Sequence, residues 1–306
     1  MIESYEKAGK IVSQVRKDAI KIIKDDLPIL NLVEFVENEI EKAGAGIAFP
    51  CNVSVNEMTA HYTSPFNDKT KISTGDLVKL DLGAHIDGYI ADSAITVMVP
   101  GKDLEEKYDD DIINKNKEMI ESSDAGLEAA INTVKPGVEI GKIGKAVQEA
   151  INSYGFNPVS NLTGHSLEQW NLHSGLSIPS VDDKSTTKLK EGDVIAIEPF
   201  ATDGVGWVTD TPNTYIFRYL KDKPFRMAHT TKVLSEIKTN YNTLPFSIRW
   251  LTEKFNPNRL NSSMRQLSQA MAIYPYPALK EKTNCWVSQS EHTVIVEGDS
   301  CTITTK

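Results

Sequence analysis

The feature that most constrains this chain is a repeat. Gly75-Asp76-Leu77-Val78-Lys79-Leu80-Asp81 is echoed by Gly192-Asp193-Val194-Ile195-Ala196-Ile197-Glu198. In each copy a Gly-Asp turn leads into an apolar strand that ends on a carboxylate six residues after the glycine. The order upstream repeats too. Ile11, Val12, Val15, Ile20, Ile22 and Ile23 form a roughly helical stripe within residues 2–25, and a second helix is predicted from about Leu30 to Lys42. Ala43-Gly44-Ala45-Gly46 ends it, and Phe49-Pro50 opens an extended segment that reaches His61. A helical pattern near 104–133, the break Lys135-Pro136-Gly137, a helix to Tyr154 and a polar segment from Gly155-Phe156 to His165 follow the same order. On this reading His61 and His165 hold equivalent places. One duplication predicts two similar α+β halves facing each other about a pseudo-two-fold axis, since a solenoid needs three or more units. A site at the junction would draw its ligands from both.

Between about Tyr219 and Thr283 the repeat lapses. Stretches from His229, Phe246 and Ser263 look helical and are divided by Thr243-Leu244-Pro245 and Asn256-Pro257-Asn258, which predicts an inserted helical subdomain over 219–283 within a single catalytic domain spanning 1–306. With 42 acidic against 33 basic side chains, a net charge of −9, the surface would repel a phosphate backbone, so no nucleic-acid partner is expected. Cys51, Cys285 and Cys301 are odd in number and scattered, without a C-x-x-C pair, which fits a reducing cytoplasm. No signal-peptide core or bilayer-length apolar run is present, so neither export nor a membrane partner is expected.

The carboxylates carry the chemistry. Asp87-Gly88 is the kind of pair that supplies the positive φ angles of a tight hairpin, and residues 86 and 89 would close it. Counting back places Asp81 opposite Ala94, so Asp81 and Asp92 become diagonal neighbours on one face, with Cα atoms roughly 7–8 Å apart. Two buried acids on one face repel each other and lose hydration unless cations neutralise them. Glu198, enclosed in Ile195-Ala196-Ile197-Glu198-Pro199-Phe200, and Glu291, opening Glu291-His292-Thr293-Val294-Ile295-Val296, repeat the predicament. His165 alone would read as a satisfied structural histidine, but the duplication brings it toward the same site. Four carboxylates with one imidazole suit two divalent ions of the Mn²⁺, Fe²⁺, Co²⁺ or Zn²⁺ type.

Phe49-Pro50, Thr59-Ala60-His61-Tyr62-Thr63, Asp81-Leu82-Gly83 through Asp92, Gly164-His165-Ser166, Ile197-Glu198-Pro199-Phe200 and Ser290-Glu291-His292-Thr293 together resemble the methionine aminopeptidase family. The resemblance spans the chain, and the insertion with Tyr274-Pro275-Tyr276-Pro277 is similar to the type II class in its compact, archaeal form. It implies the pita-bread (creatinase/aminopeptidase) fold and removal of the initiator methionine before a small second residue. It further implies that Asp81 holds one metal and His165 with Glu198 the other, while Asp92 and Glu291 bridge both and a water or hydroxide between the ions attacks. Glu198 would also handle the proton of that water, and His61 and His173 would position the scissile amide and stabilise its tetrahedral intermediate. Phe49, Leu172, Phe200 and Tyr276 match positions of the methionine pocket; their bland reading is core packing.

Two departures stand out. Ser290 precedes the last glutamate where an aromatic residue is common, and Thr209-Asp210-Thr211-Pro212-Asn213 lacks a histidine found in eukaryotic type II enzymes. The implied partners are nascent chains beginning with methionine, met at the ribosome, with the enzyme acting as a monomer. The rivals are an Xaa-Pro aminopeptidase or dipeptidase, which usually carries a large extra N-terminal domain, and a noncatalytic pita-bread binding protein, which would have lost metal ligands.

Overall fold

The computed structural model describes residues 1–306. Helices α1 (Ile2–Ile22) and α2 (Ile29–Lys42) precede β1 (Gly46–Val55), β2 (Met58–Ala60) and the hairpin of β3 (Leu77–Ile86) and β4 (Tyr89–Met98). Helices α3 (Leu104–Lys107), α4 (Asp110–Thr133) and α5 (Ile140–Ser153) lead to β5 (Asn157–Pro158), β6 (Thr163–Ser166), β7 (Ser177–Pro179), β8 (Val194–Ile197), β9 (Phe200–Thr202) and β10 (Val208–Tyr219). Then come α6 (Ala228–Tyr241), β11 (Pro245–Ser247), α7 (Ile248–Leu251), α8 (Pro257–Gln269), β12 (Ile273–Glu281), β13 (Val287–Gln289), β14 (His292–Glu297) and β15 (Ser300–Ile303). No helix is long and apolar enough to cross a membrane. This duplicated α+β arrangement is the pita-bread fold.

The repeat is visible bond by bond. Gly75 and Gly192 both sit at positive φ, +89° and +87°, where a side chain would be strained. Gly75 N–H donates to Val99 O and Val99 N–H to Asp76 O; Gly192 N–H donates to Val296 O and Val296 N–H to Asp193 O. Strand β3 pairs with β4 as β8 pairs with β14, with Lys79 opposite Thr96 in one ladder and Ala196 opposite Thr293 in the other. Each half covers its sheet with a helix pair. The stripe Ala8, Val12, Val15 and Ala19 of α1 and Leu32, Val36 and Ile40 of α2 bury against Leu80 and Leu82, while Ile143, Val147 and Ile151 of α5 bury against Ile195 and Ile197. At roughly 1.5–3 kcal/mol per fully buried aliphatic side chain, these two cores fix both sheets.

Three expectations need correction. The pattern near 104–133 is not one helix: Tyr108 is extended (φ −134°, ψ 139°), and its ring fills the space beside Gly75 that a Cβ would occupy, so the chain breaks there and restarts at Asp110. The segment 219–283 is not helical throughout. Its helices lie between 228 and 269, around a core of Val233, Leu234, Ile237, Leu260, Met264 and Leu267, and β12 returns along β10. Alternating prolines in Tyr274-Pro275-Tyr276-Pro277 cannot continue a helix. Finally, His61 is not the counterpart of His165. Strand β6 sets His165 opposite Ala196, whose mate Lys79 faces Ser54; His61 instead follows β2, at the edge of the β12 sheet. Order along the chain does not fix ladder register.

Candidate metal centre

The hairpin turn sets the first two acids. Asp87 and Gly88 take φ values of 53° and 86°, Ile86 pairs with Tyr89, Asp81 with Ala94 and Gly83 with Asp92. Asp81 and Asp92 therefore project from one face. Gly83 between them is bare, which lets the Phe49 ring lie over the strand where a Cβ would collide with it. Gly164 serves the second half in the same way: a Cβ there would collide with Ala196 O, so its absence lets β6 close on β8 and carry His165 inward.

The five groups converge. One ligand atom each from Asp92, His165 and Glu291 lie within 4.8 Å of one another. His165 Nε2 stands 3.6 Å from Asp92 Oδ2 and 3.7 Å from Glu198 Oε1. Asp81 accepts from Gln289 Nε2 at 3.3 Å and lines the same cavity as the other four groups. Burial raises the Asp81 carboxyl to about 7. It lifts Asp92, Glu198 and Glu291 well above the usual carboxylate range, with neighbouring acids adding to the effect.

The nitrogen that approaches Asp92 and Glu198 belongs to His165, whose imidazole burial depresses to about 4 and so holds neutral near pH 7, which leaves these contacts without an ion pair. Asp81 Oδ1, Asp92 Oδ1 and Glu291 Oε2 are buried without a hydrogen-bond partner. Orphaned buried acceptors of one sign are costly, and they fit a divalent cation: hard oxygen donors plus one imidazole nitrogen, all facing inward. The second layer is also in place. Asp92 N–H donates to Thr293 Oγ1 at 2.8 Å and that hydroxyl donates back to Asp92 O at 2.8 Å, while Glu291 N–H donates to Ala94 O at 3.0 Å. Ser290 hydrogen-bonds Asp124 Oδ1 at 2.5 Å and Ser123 Oγ at 2.9 Å, a polar tie from the position before Glu291 to α4.

Outside the acids lie two histidines. The His173 ring centroid is 4.4 Å from that of His165 and 6.0 Å from that of Tyr276; His61 lies 5.6 Å from Tyr276. Burial, with His165 and His61 adding, lowers His173 to about 2, and burial lowers His61 as well. His61 Nδ1 sits 3.2 Å from Pro277 O, a group that can only accept, so the proton is on Nδ1 and Nε2 is left as an acceptor.

Phe49, Leu172 and Tyr276 line the cavity, as do Asn52, Ile216 and Pro245, which sequence reasoning missed. Phe200 is not on the wall. It is buried in the core with Ala60, Val159, Val208, Leu279 and Val287, its bland reading. Ile216 and Pro245 reach the wall through β10 and β11, pairings that no local pattern announces. Asn52 had a signal: it falls three residues after Phe49 and faces Asp81.

The sequence model of metallopeptidase family M24 matches residues 3–233. The chain is 58% identical over 306 residues to a methionine aminopeptidase of Methanothermobacter thermautotrophicus, covering 100% of this chain and 99% of that one. Among solved structures, a thermophilic Arx1 superposes with a TM-score of 0.84 at 18% identity, covering 99% of this chain and 89% of that chain. A methionine aminopeptidase of Thermotoga maritima gives a TM-score of 0.71 at 21% identity, covering 100% and 96%. These two structures speak to the fold alone.

Proposed function

The chain belongs to metallopeptidase family M24, with the activity of a methionine aminopeptidase, and from that premise we propose how its residues divide the work of removing an N-terminal methionine. The relatives do not favour the Xaa-Pro or noncatalytic readings. The observation that carries the proposal is the meeting of five inward ligands from both halves beside a partly apolar cavity.

The protein depends on divalent metal. Two ions are proposed, of the Mn²⁺, Fe²⁺, Co²⁺ or Zn²⁺ type, which Asp81, Asp92, His165, Glu198 and Glu291 would hold between them. When bound they supply a Lewis acid and bring the pKa of a water toward neutrality. Glu198, at the cavity edge of β8, takes the proton of the attacking water and carries it toward the leaving amine. His61 accepts the scissile N–H at Nε2, in the tautomer that Pro277 O imposes. His173, held neutral by burial, offers an N–H to the oxygen that becomes negative as the carbonyl carbon turns tetrahedral. Phe49, Leu172, Ile216 and Pro245 surround the thioether arm, with Tyr276 closing the side next to His61. All 306 residues act as one catalytic unit, monomeric and cytoplasmic, working on nascent chains at the ribosome.

Protein loaded with Mn²⁺, Fe²⁺ or Co²⁺ is expected to cleave Met-Gly and Met-Ala peptides and to leave Met-Lys peptides largely intact. Cleavage of Xaa-Pro dipeptides without methionine release would overturn the assignment.

A further inference from the structure

Between Phe49 and Asn52 the ladder with β3 slips: Phe49 pairs with Gly83 and Asn52 with Asp81, three residues on one strand against two on the other. Without this bulge, side chains three apart would face opposite sides of the sheet; with it both line the cavity. The bulge is built in. Pro50 has no N–H to lose, and Cys51 N–H, released from the ladder, donates to Glu37 Oε1 at 3.3 Å. Glu37 is itself held by Arg249 at 2.8 Å and by Trp250 Nε1 at 2.9 Å, both from α7.

The Asn52 side chain is 4% exposed and its amide orientation is fixed, because Nδ2 donates to Pro50 O at 3.0 Å. Its Oδ1 is buried with no partner. An acceptor is thus left over at the border between the apolar wall of Phe49 and the acids beginning at Asp81. That border is where the α-carbon of a bound methionine must lie, since its thioether arm belongs to the wall and its carbonyl to the metal side. Within that residue the carbonyl and the thioether only accept; the α-amino group is the one donor.

Resting on the methionine-removal reading above, we propose that Asn52 Oδ1 accepts a hydrogen bond from the substrate's free α-amino group and so helps restrict the enzyme to chain ends. The residue is a specificity determinant that leaves the metals to the acids.

The test compares L-methioninol with 4-(methylthio)butan-1-ol, the same molecule without its amine, by calorimetry on metal-loaded wild type, Asn52→Ala and Asn52→Leu. Losing a hydrogen bond to a charged or strongly polarised group should weaken methioninol roughly tenfold to a hundredfold in both variants, while the deaminated alcohol binds within about twofold of wild type. Equal weakening of both ligands, or of neither, overturns the proposal, as does loss of bound metal from the variants by elemental analysis. A wild-type crystal structure with methioninol decides the matter even if the variants fail to fold. The amine within about 3.2 Å of Asn52 Oδ1 supports it, and an amine beyond hydrogen-bond reach overturns it. Failure of the earlier reading would show separately, as wild type that does not cleave Met-Ala peptides.

Discussion

Asp81 and Glu198 stand at the same place in two copies of one strand, yet their surroundings do not correspond. Counting along the ladders, Ala94 in the first half answers to Glu291 in the second, and Asp92 answers to Gln289. Lys79 fills one buried slot, hydrogen-bonded to Asn56 O and Val287 O at 2.8 Å each; its mate Ala196 is small, and His165 takes up the room across from it. What stayed symmetric is the stitching. Thr96 accepts from Gln289 N–H and donates to Gln289 O, as Thr293 does with Asp92. A two-fold scaffold was kept while the residues on it diverged, so the backbone supplies precision and the side chains supply asymmetry.

The strongest way to break the comparison is through the matched acids. Glu198→Gln removes a ligand and the proton carrier, so turnover on Met-Ala peptides should fall by at least roughly 10²–10⁴-fold. His173→Ala should slow turnover while metal content, measured by elemental analysis, stays near wild type; loss of metal there would move His173 into the ligand set. Removing metal exposes the shared frustration of both halves. Asp81 has a folded pKa of about 7, above its unfolded value, and the other three acids are raised too. The folded state then binds more protons than the unfolded state, so metal-free stability should be greatest below about pH 4 as far as these groups are concerned. It should fall as pH rises through 7. Thermal melts across pH with and without chelator check this, and the loss should vanish in the metal-loaded protein.

The threonine stitches sharpen the contrast. Thr96→Val and Thr293→Val each strand a buried N–H and C=O, and should cost about 1–3 kcal/mol alike by denaturant titration. Thr293→Val should weaken metal binding more, because its partner Asp92 is itself a ligand while Gln289 only hydrogen-bonds the ligand Asp81. The smallest effect separates wall from core. Phe200→Leu should cost up to about 1.5 kcal/mol in stability with KM unchanged, whereas Phe49→Leu should lower kcat/KM for Met peptides by about tenfold.

Much of this was legible where local chemistry decides. The Asp87-Gly88 turn fixed the β3–β4 register and hence the shared face of Asp81 and Asp92. The repeated Gly-Asp turn located Glu198. What could not be read depends on contacts distant in sequence: Pro245 reaches the cavity from within the insertion, Phe200 turns into a core whose other walls lie far along the chain, and the β1 bulge depends on Glu37 being held by Arg249. Matching His61 to His165 fails because similar order in two segments says nothing about which residues face each other across a ladder.

The placement of Glu291 has a consequence in time. Its carbonyl accepts from Ser93 Oγ, 198 positions away, and its N–H reaches Ala94. Closing so long a loop is slow, and it cannot begin before Glu291 has been synthesised. A copy of this enzyme still being translated therefore holds most of its ligands and none of its chemistry, and competence arrives in one step when the last strands dock.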